Sequence, residues 1–125
     1  MSEISVRQDA ADGVIRCTFH GFFTAADMAA FRADLFRVCA AARRASSRLL
    51  MLLDAAAGVV QSPEIVAEIA AIVRRVRGPH DRVAVVVGSS LMKLQAQRII
   101  HVEQVRAFSL RDEAEAWLRT AARDG

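Results

Sequence analysis

Arg82-Val83-Ala84-Val85-Val86-Val87-Gly88 is the stretch that decides the fold. Val83 to Val87 is apolar at every position, with no polar alternation, so the segment reads as a strand covered on both faces. Leu49-Leu50-Met51-Leu52-Leu53 has the same character, and Asp54 is expected to stop it. Strands of this kind belong to parallel sheets, whose neighbours must be joined by long crossovers, usually helices. A helix signal lies between the two runs: Ser62-Pro63-Glu64 offers a hydroxyl cap, a proline at the first helical position and an acid in the first turn. Ile65, Ile69, Ile72, Val73 and Val76 then fall on one helical face, and Gly78-Pro79 ends the element.

Working outward, the N-terminal part alternates. Ile4 and Val6 flank Ser5, Asp12-Gly13 predicts a tight hairpin turn, and a second strand from Val14 to Phe19 puts Ile15, Cys17 and Phe19 on one face. Thr24 with Asp27 reads as a capping box for a helix whose stripe is Met28, Phe31, Leu35, Val38 and Cys39. After Val87, Gly88-Ser89-Ser90 turns the chain into a helix from about Leu91 to Ile100. Val105 to Phe108 is a short strand, Ser109 with Asp112 reads as another capping box, and Ala114, Trp117, Leu118 and Ala121 line a last helix. The expected fold class is α/β: an N-terminal β-hairpin, three αβ units and a C-terminal helix, forming a mixed, mostly parallel sheet packed with helices. No linker or repeat interrupts the pattern, so residues 1–125 read as a single domain.

Composition narrows the function classes. The 125 residues are 54% hydrophobic and 25% charged, as in an ordinary globular domain. Two cysteines, Cys17 and Cys39, exclude a disulfide scaffold and read as core residues. No apolar run approaches the roughly 20 residues of a membrane span. The start, Met1-Ser2-Glu3, lacks the basic and apolar pattern of a secretory signal, so a cytoplasmic location is expected. A pI of 9.6 accompanies a net charge of only +3. Its arginines are spread out except for Arg43-Arg44 and Arg74-Arg75-Arg77, both at predicted helix C-termini, where cations offset the dipole. Tyrosine is absent and no basic strand carries interleaved aromatics, so nucleic-acid binding is not expected.

Several strings carry a family resemblance. They are Gly21-Phe22-Phe23-Thr24, Leu52-Leu53-Asp54, the strand Arg82–Gly88, and Val105-Arg106-Ala107-Phe108 followed by Glu113-Ala114-Glu115-Ala116-Trp117-Leu118. In this order they resemble the SpoIIAA-like branch of the STAS fold, the anti-sigma-factor antagonists. The resemblance implies a non-catalytic, regulatory or protein-interaction module with an unidentified protein partner. The broader fold also has lipid-binding relatives, which makes a carrier of a small hydrophobic ligand the alternative. The antagonists are phosphorylated on a serine at the start of the helix after the third strand. Gln61-Ser62-Pro63-Glu64 stands there, so Ser62 is the corresponding candidate, while the aspartate, second serine and glycine of the antagonist string are missing.

Other candidates follow from residue types. Ser62 is equally a plain helix cap. Asp54, Ser89 and Ser90 follow strand ends and could form a ligand or anion site, although the glycines and lysine of a nucleotide loop are lacking. Ser89, His101 and Asp54 could be drawn as a triad, but no nucleophile elbow accompanies them, and no enzyme is expected. His20, His80 and His101 lack metal-ligand spacing, and neither a metal nor a cofactor is expected. The helix from Leu91 to Ile100 has aliphatics around more than one side. Together with the Phe22-Phe23 turn and the Val59-Val60 loop, Met92 and Ile99 could line an apolar pocket or a partner patch, including the interface of a homodimer.

Overall fold

The computed structural model describes residues 3–57, 59–100 and 102–124. The elements run β1 (Glu3–Gln8), β2 (Ile15–His20), α1 (Ala25–Ala45), β3 (Leu50–Ala55), α2 (Pro63–Val76), β4 (Arg82–Val87), α3 (Ser90–Ile99), β5 (Val105–Phe108) and α4 (Arg111–Asp124). The sheet order is β1-β2-β3-β4-β5, with β1 antiparallel to β2 and every later pair parallel. The expected hairpin, three αβ units and terminal helix are all present. The two apolar runs that decided the fold pair directly, Met51 opposite Val83 and Leu53 opposite Val85.

Successive parallel strands advance in one direction, so right-handed crossovers place α1, α2 and α3 on the same face. Ile15, Cys17 and Phe19 meet Met28, Phe31, Leu35 and Cys39 of α1 there, with Phe19 and Phe31 edge to face at 5.3 Å. Among the described elements α4 alone packs on the other face, where Leu52, Ala84 and Val86 meet Ala114 and Leu118. Arg82 and Arg106 both lie over the Trp117 ring, at 5.0 and 5.4 Å from its centroid. Alternation along β4 therefore assigns Val83, Val85 and Val87 to the three-helix face and Ala84 and Val86 to α4.

Three local expectations need correction. The hairpin is not closed by a two-residue turn at Asp12-Gly13: Asp9 N donates to Val14 O at 2.9 Å across a longer loop, and only Gly13 takes a positive φ, of 76°. The Asp9 and Asp12 carboxylates accept from the backbone of Ala11 and Val14 and stabilise that wider loop. Asp54 does not stop β3, because its backbone still pairs with Val86 and the strand runs on to Ala55. Ser109 does not cap α4; the helix starts at Arg111, with Ala114 N donating to Leu110 O. The Thr24–Asp27 capping box is present, with bonds of 3.2 and 2.8 Å.

Gly88, just after β4, has no room for a side chain, since a Cβ there would collide with the Ala56 carbonyl oxygen. The core predicts its own weak point. Leu52 is fully buried between the central strands and α4, so Leu52→Ala should cost about 2–5 kcal/mol in denaturant unfolding. Unchanged stability would contradict this placement of the core.

Candidate functional site

α2 joins β3 to β4, yet its backbone approaches α1 more closely than it approaches the strands it crosses. Two polar latches hold its ends. Before its first turn, the Gln61 side chain accepts from Phe23 N at 3.1 Å and donates to Gly21 O at 2.7 Å and Val59 O at 3.1 Å. After its last turn, Arg43 of α1 donates to Val76 O at 3.0 Å and to Asp81 Oδ2 at 2.6 Å. Asp81 is almost fully buried, at 3% exposure, and also accepts from the backbone N–H groups of Leu49 and Gly78 at 2.8 and 2.7 Å.

Between α2, α3 and the sheet lies an apolar cavity of about 220 Å³. Its floor is Leu53 and Ala55 of β3, Val83, Val85 and Val87 of β4, and Val105 of β5. One wall is the α2 face of Val66, Ile69, Ala70 and Val73; the other is Met92, Gln95 and Ala96 of α3, followed by Ile100 and Val102. Phe19, Phe23, Val59, Val60 and Gln61 close the end at the strands' C-termini, and Arg74 and Arg77 stand at the opposite end. Such a lining, apolar with a few polar groups at fixed places, is the common composition of a small-molecule pocket.

The remaining polar groups lie elsewhere. On the α4 face, a polar depression of about 280 Å³ is formed by Ser5, Arg7, Arg16, Thr18, Asp54 and Arg111 over Leu52. Arg16 is neutralised there by Asp9, Asp12 and Glu115, at 3.3, 2.8 and 2.8 Å. The Arg16 guanidinium holds the Glu115 carboxyl below its ordinary range against the opposing effect of burial, and Arg111 adds to this. In the core under α1, burial pushes the Cys17 thiol up to about 12 and the Cys39 thiol up to about 11, so both stay protonated and unreactive near neutral pH.

A family model described as SpoIIAA-like matches residues 14–119. The chain belongs to the SpoIIAA-like family. The structure is similar to the crystal structure of an uncharacterized protein with a SpoIIAA-like fold from Shewanella loihica PV-4, with a TM-score of 0.63 and 15% identity. The superposition covers 94% of this chain and 93% of that one, a likeness of fold alone. A search of curated proteins finds no match.

In this SpoIIAA-like chain the sequence-derived candidates separate into two groups. Phe23, Val59, Val60 and Met92 do converge on the cavity. Phe22 does not: it is 71% exposed and points away from the lining. The side chain of Ile99 and the whole of His101 lie outside the described residues. Asp54 is on the α4 side of the sheet, accepting from Ala56 N at 3.1 Å and pairing with Arg111 at 3.3 Å. Ser89 caps α3 by accepting from Met92 N at 3.2 Å, and Ser90 is the exposed first residue of that helix. Neither serine shares the depression that contains Asp54. Ser62 caps α2, its hydroxyl accepting from Ile65 N at 3.3 Å. Among the described residues no group of His, Cys, Asp and Glu could hold a metal ion, and no helix is long and apolar enough to cross a membrane.

Sequence reasoning missed most of the cavity: the α2 wall, the strand floor and the two arginines. The signal was present in the α2 stripe, where Val66, Ile69, Ala70, Val73, Arg74 and Arg77 recur at steps of three and one. That stripe lies beside the one read as core, and a helix apolar on two adjacent stripes has more to cover than one neighbour.

Two predictions follow from the latches and caps. Burial raises the Asp81 carboxyl, but the Arg43 hydrogen bond and the Leu49 and Gly78 N–H groups outweigh it and hold the carboxyl below its ordinary value of 3.8. A carboxyl depressed in the folded state stabilises the protein above that ordinary value and loses the contribution as pH falls through the folded one. Asp81→Asn should therefore flatten the acid side of the stability–pH curve, as measured by thermal unfolding between about pH 5 and pH 2. At the other end, Ser62→Ala should cost about 0.5–2 kcal/mol, whereas Ser62→Asp should be nearly neutral because aspartate also caps. Chemical unfolding of the two variants checks this.

Proposed function

We propose that this SpoIIAA-like domain is a non-catalytic module that binds a small hydrophobic ligand in the cavity between α2, α3 and the sheet. The observation that carries the reading is the cavity itself, about 220 Å³ of apolar space partly open to solvent. Apolar surface left wet in this way is covered favourably by an apolar ligand. Collapse of α2 onto Val85 would remove the space, and the Gln61 and Arg43–Asp81 latches oppose that movement at both ends of the helix. Among the described residues no nucleophile, base or metal-ligating group lines the cavity, and the described lining offers recognition without bond-making chemistry.

A regulatory role through a protein partner is the second reading, and α3 favours it. Met92 and Ala96 form the cavity wall, while Leu91 and Leu94 of the same helix are 58% and 54% exposed. A ligand that presses on the inner side of α3 would alter the presentation of its outer aliphatics to a partner, or to a second copy of the chain. Such coupling would make the domain a ligand-dependent interaction module, and Ser62 phosphorylation would be a further input at the α2 end of the same cavity.

Native mass spectrometry of protein freshly purified from its own host tests the binding function. The expected spectrum contains a non-covalent adduct of a small apolar molecule, and Ala96→Trp, which fills the cavity from the α3 wall, should lose it. An adduct retained in a folded Ala96→Trp variant would move the ligand elsewhere. No adduct, together with no binding of added medium-chain alcohols, would overturn the reading.

A further inference from the structure

Resting on the hydrophobic-ligand reading, we infer that the cavity takes a single-chain amphiphile with one anionic headgroup, held at the Arg74–Arg77 end with its tail running under α2 toward Val59 and Val60. The cavity is directional. α2 starts beside the C-terminal ends of the strands and finishes beside the N-terminal end of β4, as any β3–α2–β4 crossover must. From Val66 to Arg74 the helix rises about 12 Å. The floor from Val83 to Val87 extends about 13 Å beside it. The space is therefore long in one direction, the shape of a chain rather than of a compact ring system.

Charge is found at one end only. The α2 lining is apolar at Val66, Ile69, Ala70 and Val73 and becomes basic at Arg74 and Arg77. At the far end the only polar side chain among the described lining residues is Gln61, whose oxygen and nitrogen are already committed to Phe23, Gly21 and Val59. Arg74 and Arg77 have no such commitment: neither forms an ion pair with a carboxylate among the described residues, and Arg77 only donates to the Gly78 carbonyl at 3.3 Å. Their position at the end of α2 offsets the helix dipole, as basic residues there commonly do. That role does not require them to line an apolar cavity. Two guanidinium groups at its margin supply charge-assisted donors to a carboxylate or a phosphate monoester, while the tail replaces water along the valine floor.

The volume limits the tail. About 220 Å³ is below the roughly 300–1,000 Å³ typical of pockets for drug-sized ligands. A medium-length chain fits and a two-chain phospholipid does not.

The test is isothermal titration of the full chain with decanoate, decyl phosphate and decanol, on wild type, on Ala96→Trp and on the double variant Arg74→Gln/Arg77→Gln. Circular dichroism melts establish that each variant is folded. For wild type, at least one of the two acids should bind roughly tenfold or more tightly than decanol, and in the double variant that acid should bind no more tightly than decanol does to the same variant. The stronger of the two acids identifies the headgroup as carboxylate or phosphate. Equal binding of acids and alcohol, or an acid preference that survives the double substitution, would overturn the headgroup assignment and leave the hydrophobic cavity standing. Absence of binding by all three compounds would overturn the cavity reading together with this one.

Discussion

Everything about the cavity depends on how α2 is held. This crossover helix buries Ile72 and Val73 in the core and packs beside α1. Its ends are fastened by polar side chains: Gln61, just before its first turn, and Arg43 with Asp81 at the finish. Asp81 is the more demanding of the two latches. Its buried carboxylate is satisfied only because Arg43, Leu49 and Gly78 all donate to it, and removal of any partner would leave part of its desolvation uncompensated. With both ends fixed, the space lined by Val66, Ile69 and Ala70 of α2 and by Val83, Val85 and Val105 of the sheet is available to a ligand.

The two faces of the sheet accordingly do different things. Under α4 the face is packed: Leu52, Ala84, Val86 and Leu118 interlock, and Trp117 contacts Phe108 at a tilt and the arginines of β4 and β5. Its apolar part supplies stability, and the depression beside it is lined by charged groups already paired with one another. The three-helix face is filled under α1, where Phe19, Phe31 and Leu35 pack tightly, and is open under α2 and α3. Small side chains at Ala70 and Ala96, one on each wall, keep the gap from closing. The sequence thus divides one sheet into a packed half and a binding half, with β3 at the border.

The fold was legible because its signals are local. Unbroken apolar runs such as Val83–Val87, the Ser62-Pro63 start and the Thr24–Asp27 box each encode one element through nearest-neighbour geometry. Chain order and the handedness of crossovers then leave few topologies. The hairpin loop was misread because Asp9, outside the Asp12-Gly13 pair, closes it. Most of the site was not legible for a related reason. Val85 and Val105 on one side and Val66 and Ile69 on the other have the appearance of core residues in any pattern. Only the height of α2 above the sheet, set by Gln61 and by the distant pair Arg43 and Asp81, turns them into a lining. Phe22 belongs to the same loop as Phe23, but its side chain faces solvent rather than the cavity.

The central claim is that the space beneath α2 is a binding cavity rather than a packing fault. Methyl-resolved NMR of the isotopically labelled protein during titration with decanol tests it most directly, because every residue concerned carries methyl groups. The account predicts shifts concentrated on Val66, Ile69, Val85 and Val105, with Leu52 and Leu118 on the α4 face unmoved. Shifts confined to the exposed Leu91, Leu94 and Leu110, or no shifts at saturating decanol, would contradict it.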